Sequence, residues 1–231
     1  MRATAGPRSD GDPQAPPRTV PAQSARDVPE TAAGRVTPSR AAGGSRALAL
    51  LLVITGAAGL LASWVITLDK FELLKDPNFQ PGCSINPVVA CGSIMKSEQA
   101  EAFGFPNPML GLAAYAVVIG VGMSLLGRAR LPRWYWLTFN AGTLFGVGFC
   151  TWLQFQSLYR INALCLWCCL AWVATILMFW YVTSLTVRSG FLPAPGWLKT
   201  FFEDFTWALP VLHIGVVGAL ILTRWWDFWT H

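Results

Sequence analysis

Long apolar runs alternate with short polar breaks along this chain, and the runs have membrane length. Residues 47–68 are 22 consecutive positions without a charge, against the roughly 20 apolar residues that cross about 30 Å of hydrocarbon. A second run, 109–127, ends in the basic turn of Arg128, Arg130 and Arg133 with Pro132. A third, 134–157, opens on Trp134 and Trp136, which suit an interfacial belt, and closes on polar residues. The turn 158–163 leads into a fourth run, 164–187. A fifth, 207–223, is only 17 residues long, but Trp225 and Trp226 beside it belong at an interface. The pattern predicts an all-α integral membrane protein with five transmembrane helices.

The breaks divide the chain further. Residues 1–45 hold seven of the 16 prolines and almost no aromatic or branched apolar side chains, so they cannot bury a core and are expected to form a disordered cytosolic tail. Residues 69–108 make a long polar loop with Pro77, Pro81, Pro87, Pro106 and Pro108; loops of that length are often functional. Within it, 93–103 places Ile94, Met95, Ala102 and Phe103 around acidic residues, which predicts a short helix on the membrane surface. The expected organisation is a tail over 1–45, a helical domain over 46–187 with its external loop at 69–108, and a cytosolic linker with the fifth helix over 188–231.

Composition agrees with a membrane protein: 54% hydrophobic, 13% charged and 12 Trp are unusual for a soluble globule. The net charge of +5 does not point to nucleic acid, because seven Arg lie in the first 46 residues, ahead of a span, and no basic patch is interleaved with aromatics. Twelve Lys and Arg fall on the side of the tail against five on the other, which places the N-terminus in the cytosol. The first apolar run follows a long polar stretch and is long enough to span, so it is expected to stay as a signal anchor. The loop 69–108 and the start of the fourth span then face outward, an oxidising space in a bacterium.

The six cysteines fit that topology. Cys83 and Cys91 form a C-x7-C pair in the external loop, Cys165 and Cys168 form a CxxC at the start of the fourth span, and Cys150 and Cys169 read as small packed apolar residues. Positions i and i+3 share one helix face, so the CxxC presents two sulfurs together. Asn162 is a plausible N-cap for that helix, whose positive end favours a thiolate at Cys165 or Cys168. Two dithiols on one side are the parts of a thiol–disulfide relay. Two structural disulfides, or zinc held by four thiolates, are the alternatives; a closed metal site leaves unexplained why one pair begins a membrane helix, and no metal is expected. Asn140, Gln154, Gln156 and His213 are expected to bond between helices.

In this order the residues resemble the vitamin K epoxide reductase (VKOR) family, in its bacterial disulfide-forming form without a fused thioredoxin domain. The likeness covers roughly residues 48–187: four spans, the C-x7-C loop, Ser97 six residues after Cys91, Asn107 before Gly111, and the CxxC. It implies a four-helix bundle holding a quinone (menaquinone or ubiquinone) beside the CxxC, with the fifth helix added to it. By position, Cys168 is implied to reduce the quinone, Cys165 to receive electrons from Cys91, and Cys83 to exchange with a separate DsbA-like thioredoxin-fold partner. The resemblance also implies a transient Cys91–Cys165 disulfide. Asn107 matches a donor to a quinone carbonyl, Trp167 is expected against the quinone ring, and Ser97 and Trp172 complete the expected contacts. Trp172 stands where animal members carry tyrosine, and Leu166 where bacterial relatives commonly have proline, which favours quinone reduction over vitamin K epoxide reduction. The expected activity is a quinone-dependent thiol–disulfide oxidoreductase in a bacterial cell membrane, sustaining disulfide formation in exported proteins.

Overall fold

The computed structural model describes residues 45–230. The tail expected over 1–45 lies outside the described residues, apart from Ser45. That residue caps the first helix, its hydroxyl accepting from the Leu48 backbone N–H at 3.2 Å.

Helix α1, Arg46–Lys75, outlasts the uncharged run because no proline or glycine interrupts the chain between residue 60 and Pro77. Its last turns carry Asp69 and Lys70 above the apolar stretch, where Lys70 can reach the loop that follows. That loop is not the single surface helix expected over 93–103. It folds as a short helix α2, Cys91–Met95, then a 3-10 turn over Glu98–Glu101. The break comes at Ser97, whose backbone is extended and whose hydroxyl donates back to the Ile94 carbonyl at 2.7 Å.

Helix α3, Asn107–Leu126, starts with proline in its first turn and stops at Gly127. Helix α4 covers Arg133–Gln156, and its end widens into a π turn, Ser157–Ile161. Helix α5, Leu166–Arg188, is followed by α6, Gly196–Asp204, α7, Ala208–Arg224, and the short α8, Trp226–Thr230. The expected linker over 188–206 thus contains a helix. Among the described residues α1, α3 and α5 are long and apolar enough to cross a membrane, and α6 with α7, bent by 69°, has the length and composition of a broken span or a re-entrant loop. Helix α4 does not qualify by composition; it carries Asn140, Thr143, Gln154 and Gln156.

Helix α1 packs on α3 and α5, and α4 packs on α5. The α1–α3 contact depends on small residues. A Cβ at Gly59 would sit 2.3 Å from the Tyr115 ring, and one at Gly111 would sit 2.3 Å from the Ser63 hydroxyl. Close backbone approach of this kind is how helices associate where lipid is as apolar as leucine. Leu52, Val121, Trp136, Val182 and Phe191 are among the residues of the main apolar core, which joins α1, α3, α4 and α5. Two polar pairs inside the bundle bond across helices, Thr183 donating to Asn140 Oδ1 at 2.8 Å and Trp180 Nε1 to His213 Nδ1 at 3.2 Å, whereas the buried Gln154 amide nitrogen has no hydrogen-bond partner among the described residues. Both contacts are the interhelical kind expected for Asn140 and His213.

Candidate redox site

The site begins with how the loop is held. Asn86 Oδ1 accepts from the backbone N–H groups of Val88 and Val89, at 3.0 and 2.6 Å, folding the chain back after Cys83. Val89 then forms a parallel bridge with Leu164, in the segment before α5: Leu164 N–H donates to the Val88 carbonyl at 2.7 Å, and Ala90 N–H donates to the Leu164 carbonyl at 3.0 Å. Ala90 and Leu164, joined by the second of these bonds, immediately precede Cys91 and Cys165. Lys70, only 12% exposed, ties the other side of the loop to α1, donating to the Met95 carbonyl at 2.7 Å and pairing with Glu101 at 2.8 Å.

This backbone clamp brings three cysteines together. Cys83 and Cys91 are bonded to each other, with their Cα atoms 5.8 Å apart. The sulfurs of Cys83, Cys91 and Cys165 all lie within 4.8 Å of one another, and all three residues are buried. Cys165 and Cys168 are free thiols. A disulfide sulfur is not the thiolate that binds a metal, so this trio as it stands has the geometry of exchange: a free thiol beside a disulfide.

Cys165 stands one residue ahead of α5, in extended conformation at the N-cap position. Asn162, expected to cap this helix, instead ends the π turn in the left-handed region at φ 57°. The correction has a clear cause, because the bridge through Leu164 keeps the chain extended for three residues after Asn162, and asparagine tolerates the left-handed turn that this geometry requires. The Cys165 thiol is nonetheless held below the ordinary thiol value. Hydrogen bonding with the Cys168 side chain is the largest cause; the backbone N–H groups of Cys168 and Trp167 add to it, against the opposing effect of burial.

Cys168 faces a different space. A cavity of about 540 Å³ runs through the bundle, walled by α1, α3, α4 and α5 and roofed by the loop at Met95, Ser97 and Gln99. Cys168, Trp172, Asn107 and Ser97 all line it, so three of the four expected contact residues meet one of the CxxC thiols there. Trp167 does not. It packs against the cluster of Cys83, Cys91 and Cys165 and lines a separate outer pocket with Asp69, Gly82 and Ile85. One residue is about 100° of helix turn, so Trp167 and Cys168 cannot face the same side. Asn107 reaches the cavity but uses its amide on the loop, Nδ2 donating to the Gln99 carbonyl at 2.7 Å and Oδ1 accepting from Ala102 N–H at 3.0 Å. Its second N–H remains for a ligand.

Two cavity residues escaped the sequence reading. Tyr115, the lone phenol in the second span, lines the cavity and shares a hydrogen bond with Thr175 at 2.8 Å; a polar ring in an otherwise apolar run was the available signal. Cys150, read as packing, also lines it, with its sulfur 3.7 Å from the Thr175 hydroxyl.

The family model described as Vitamin K epoxide reductase family matches residues 50–183, which takes in both cysteine pairs, the loop and every cavity helix. Comparison with curated proteins returns no match.

Proposed function

The chain belongs to the vitamin K epoxide reductase family, and on that premise we propose that it passes electrons from a reduced DsbA-like thioredoxin-fold protein through its two dithiol pairs to a membrane quinone. Membership implies an oxidoreductase that joins disulfide chemistry to quinones at a membrane. The finer reading rests on one observation above all: Cys165 lies beside the Cys83–Cys91 disulfide while its CxxC partner Cys168 lies in the wall of an apolar cavity.

The residues then divide the work. Cys83 exchanges with the partner's dithiol, leaving Cys83 and Cys91 reduced. The Cys91 thiolate attacks the Cys165 sulfur of an oxidised CxxC, forming a Cys91–Cys165 disulfide and releasing Cys168 as a thiolate at the cavity. Attack of Cys83 on Cys91 releases Cys165 and restores the loop disulfide, the pairing seen in the structure. A quinone bound in the cavity supplies the two-electron sink. The cavity suits one: its walls are mostly apolar, and Asn107, Ser97 and Tyr115 offer a few polar groups among them. Trp172 is 4% exposed and wedged between Val88, Leu164 and the cavity; with an indole rather than a phenol there, simple quinone reduction is favoured over epoxide reduction.

The four cavity helices form the catalytic bundle over 46–187, with α7 as a fifth span, the N-terminus cytosolic and both dithiols outward in a bacterial cell membrane. The test is anaerobic mixing of the reduced protein with menaquinone and ubiquinone analogues while quinone absorbance is followed. The expected result is stoichiometric quinone reduction with oxidation of Cys165 and Cys168; unchanged absorbance with both analogues overturns the reading.

A further inference from the structure

Helix α7 lies outside the matched region, yet it runs against α5 along its length. Near its start the Thr206 and Ser184 hydroxyls share a hydrogen bond at 2.8 Å, midway His213 accepts from Trp180, and toward its end Val217, Ile221 and Trp225 pack against the buried cluster of Val88, Leu164 and Trp172. Its last residue, Arg224, reaches over the turn between α4 and α5. Arg224 Nε donates to the Leu158 carbonyl at 3.0 Å, and its Nη2 donates to Asn162 Oδ1.

Both acceptors matter to the CxxC. In the π turn the Ser157 carbonyl takes the N–H groups of Asn162 and Ala163, and the Arg224 contact supplies a donor to Leu158. Asn162 is one of two described non-glycine residues with positive φ, and the three residues after it carry the bridge that sets Cys165 against Cys91. A guanidinium fork fixes two acceptors at once, which one ammonium cannot do with the same geometry. We infer that Arg224 is a positioning residue: by clamping Leu158 and Asn162 it holds the left-handed turn that aligns Cys165 with the loop disulfide. This rests on the relay reading above, and it adds a residue from a helix outside the family match.

The test uses the full chain with Cys168→Ala, in which Cys165 can attack Cys91 and displace Cys83 without being resolved by Cys168. The fraction carrying a Cys91–Cys165 bond, mapped by proteolysis and mass spectrometry, reads the alignment directly. If that species never forms with Arg224 intact, the relay reading itself fails. If it forms, adding Arg224→Ala is expected to lower the ratio of Cys91–Cys165 to Cys83–Cys91 roughly tenfold, the size of a lost charge-assisted hydrogen bond. Arg224→Lys should recover part of the loss. Asn162→Gly keeps the left-handed turn accessible but removes the amide, so its effect and that of Arg224→Ala should combine to less than their product. An unchanged ratio in Arg224→Ala, or no recovery with lysine together with fully multiplicative effects of the two variants, overturns the positioning role.

Discussion

Cys83 and Cys91 sit in a segment whose longest helix has five residues, fastened by an asparagine turn, a two-bond bridge and one lysine, whereas Cys165 and Cys168 open a helix of 23 residues packed between α1 and α4. Both pairs are largely buried. The loop pair lies in a small apolar cluster with Ile66, Leu73, Met95 and Trp167 and is otherwise fastened by a few polar contacts at its ends, which water can replace if the loop swings out. The helix pair is held by side-chain packing over many turns, which leaves it one position. The proposed relay would use this asymmetry, one dithiol meeting a partner protein while the other keeps a fixed face toward the cavity.

The largest effect that breaks the comparison is removal of one thiol from each pair. Cys168→Ala should reduce quinone reduction to background with any electron donor, while Cys83→Ala should abolish turnover with the protein partner and leave activity with a small dithiol. Equal loss of both activities in both variants contradicts the division of labour.

A smaller effect comes from the clamp between the pairs. Leu164→Pro deletes the N–H that donates to Val88, and the cost of stranding that buried carbonyl is about 1–3 kcal/mol. In the Cys168→Ala background the Cys91–Cys165 species should fall by roughly tenfold or more, whereas Leu164→Val, which keeps the N–H, should stay close to the parent. A proline variant with an undiminished mixed disulfide removes the bridge from the account.

The smallest is a displacement in pH. Cys165 is acidified first by its hydrogen bond with Cys168, so its thiolate persists as pH falls below the ordinary thiol range and is lost only on passing the lowered value. Cys168→Ser keeps a hydroxyl donor and Cys168→Ala does not. The rate at which Cys165 opens the Cys83–Cys91 disulfide should therefore decline at higher pH in the alanine variant than in the serine variant. Coincident profiles leave the acidification to the helix backbone alone.

Much of this was legible in the sequence for local reasons. Uncharged runs of membrane length marked α1, α3 and α5, and the C-x7-C and CxxC spacings picked out the two pairs, because a thiol pair close in sequence needs no long-range fold to be recognised. Asn162 was misplaced as a cap because Asn is favoured both before a helix and in a left-handed turn; only the bridge of Leu164 to the loop decides between them. Trp167 lines a different pocket from Cys168, which adjacency in sequence does not reveal because it does not state helical phase.

The sequence by itself determined an all-helical membrane chain, its two dithiols and their order, since hydropathy and spacing act within a few turns of the chain. The tertiary structure decided which thiol meets which. Cys165 faces the loop through a backbone bridge closed over some 75 residues, Cys168 faces the cavity through the rotation of α5 against α3 and α4, and Arg224 reaches the turn of Leu158 and Asn162 from another helix. Such contacts join residues that are far apart along the chain, and their geometry is set by packing rather than by any local pattern.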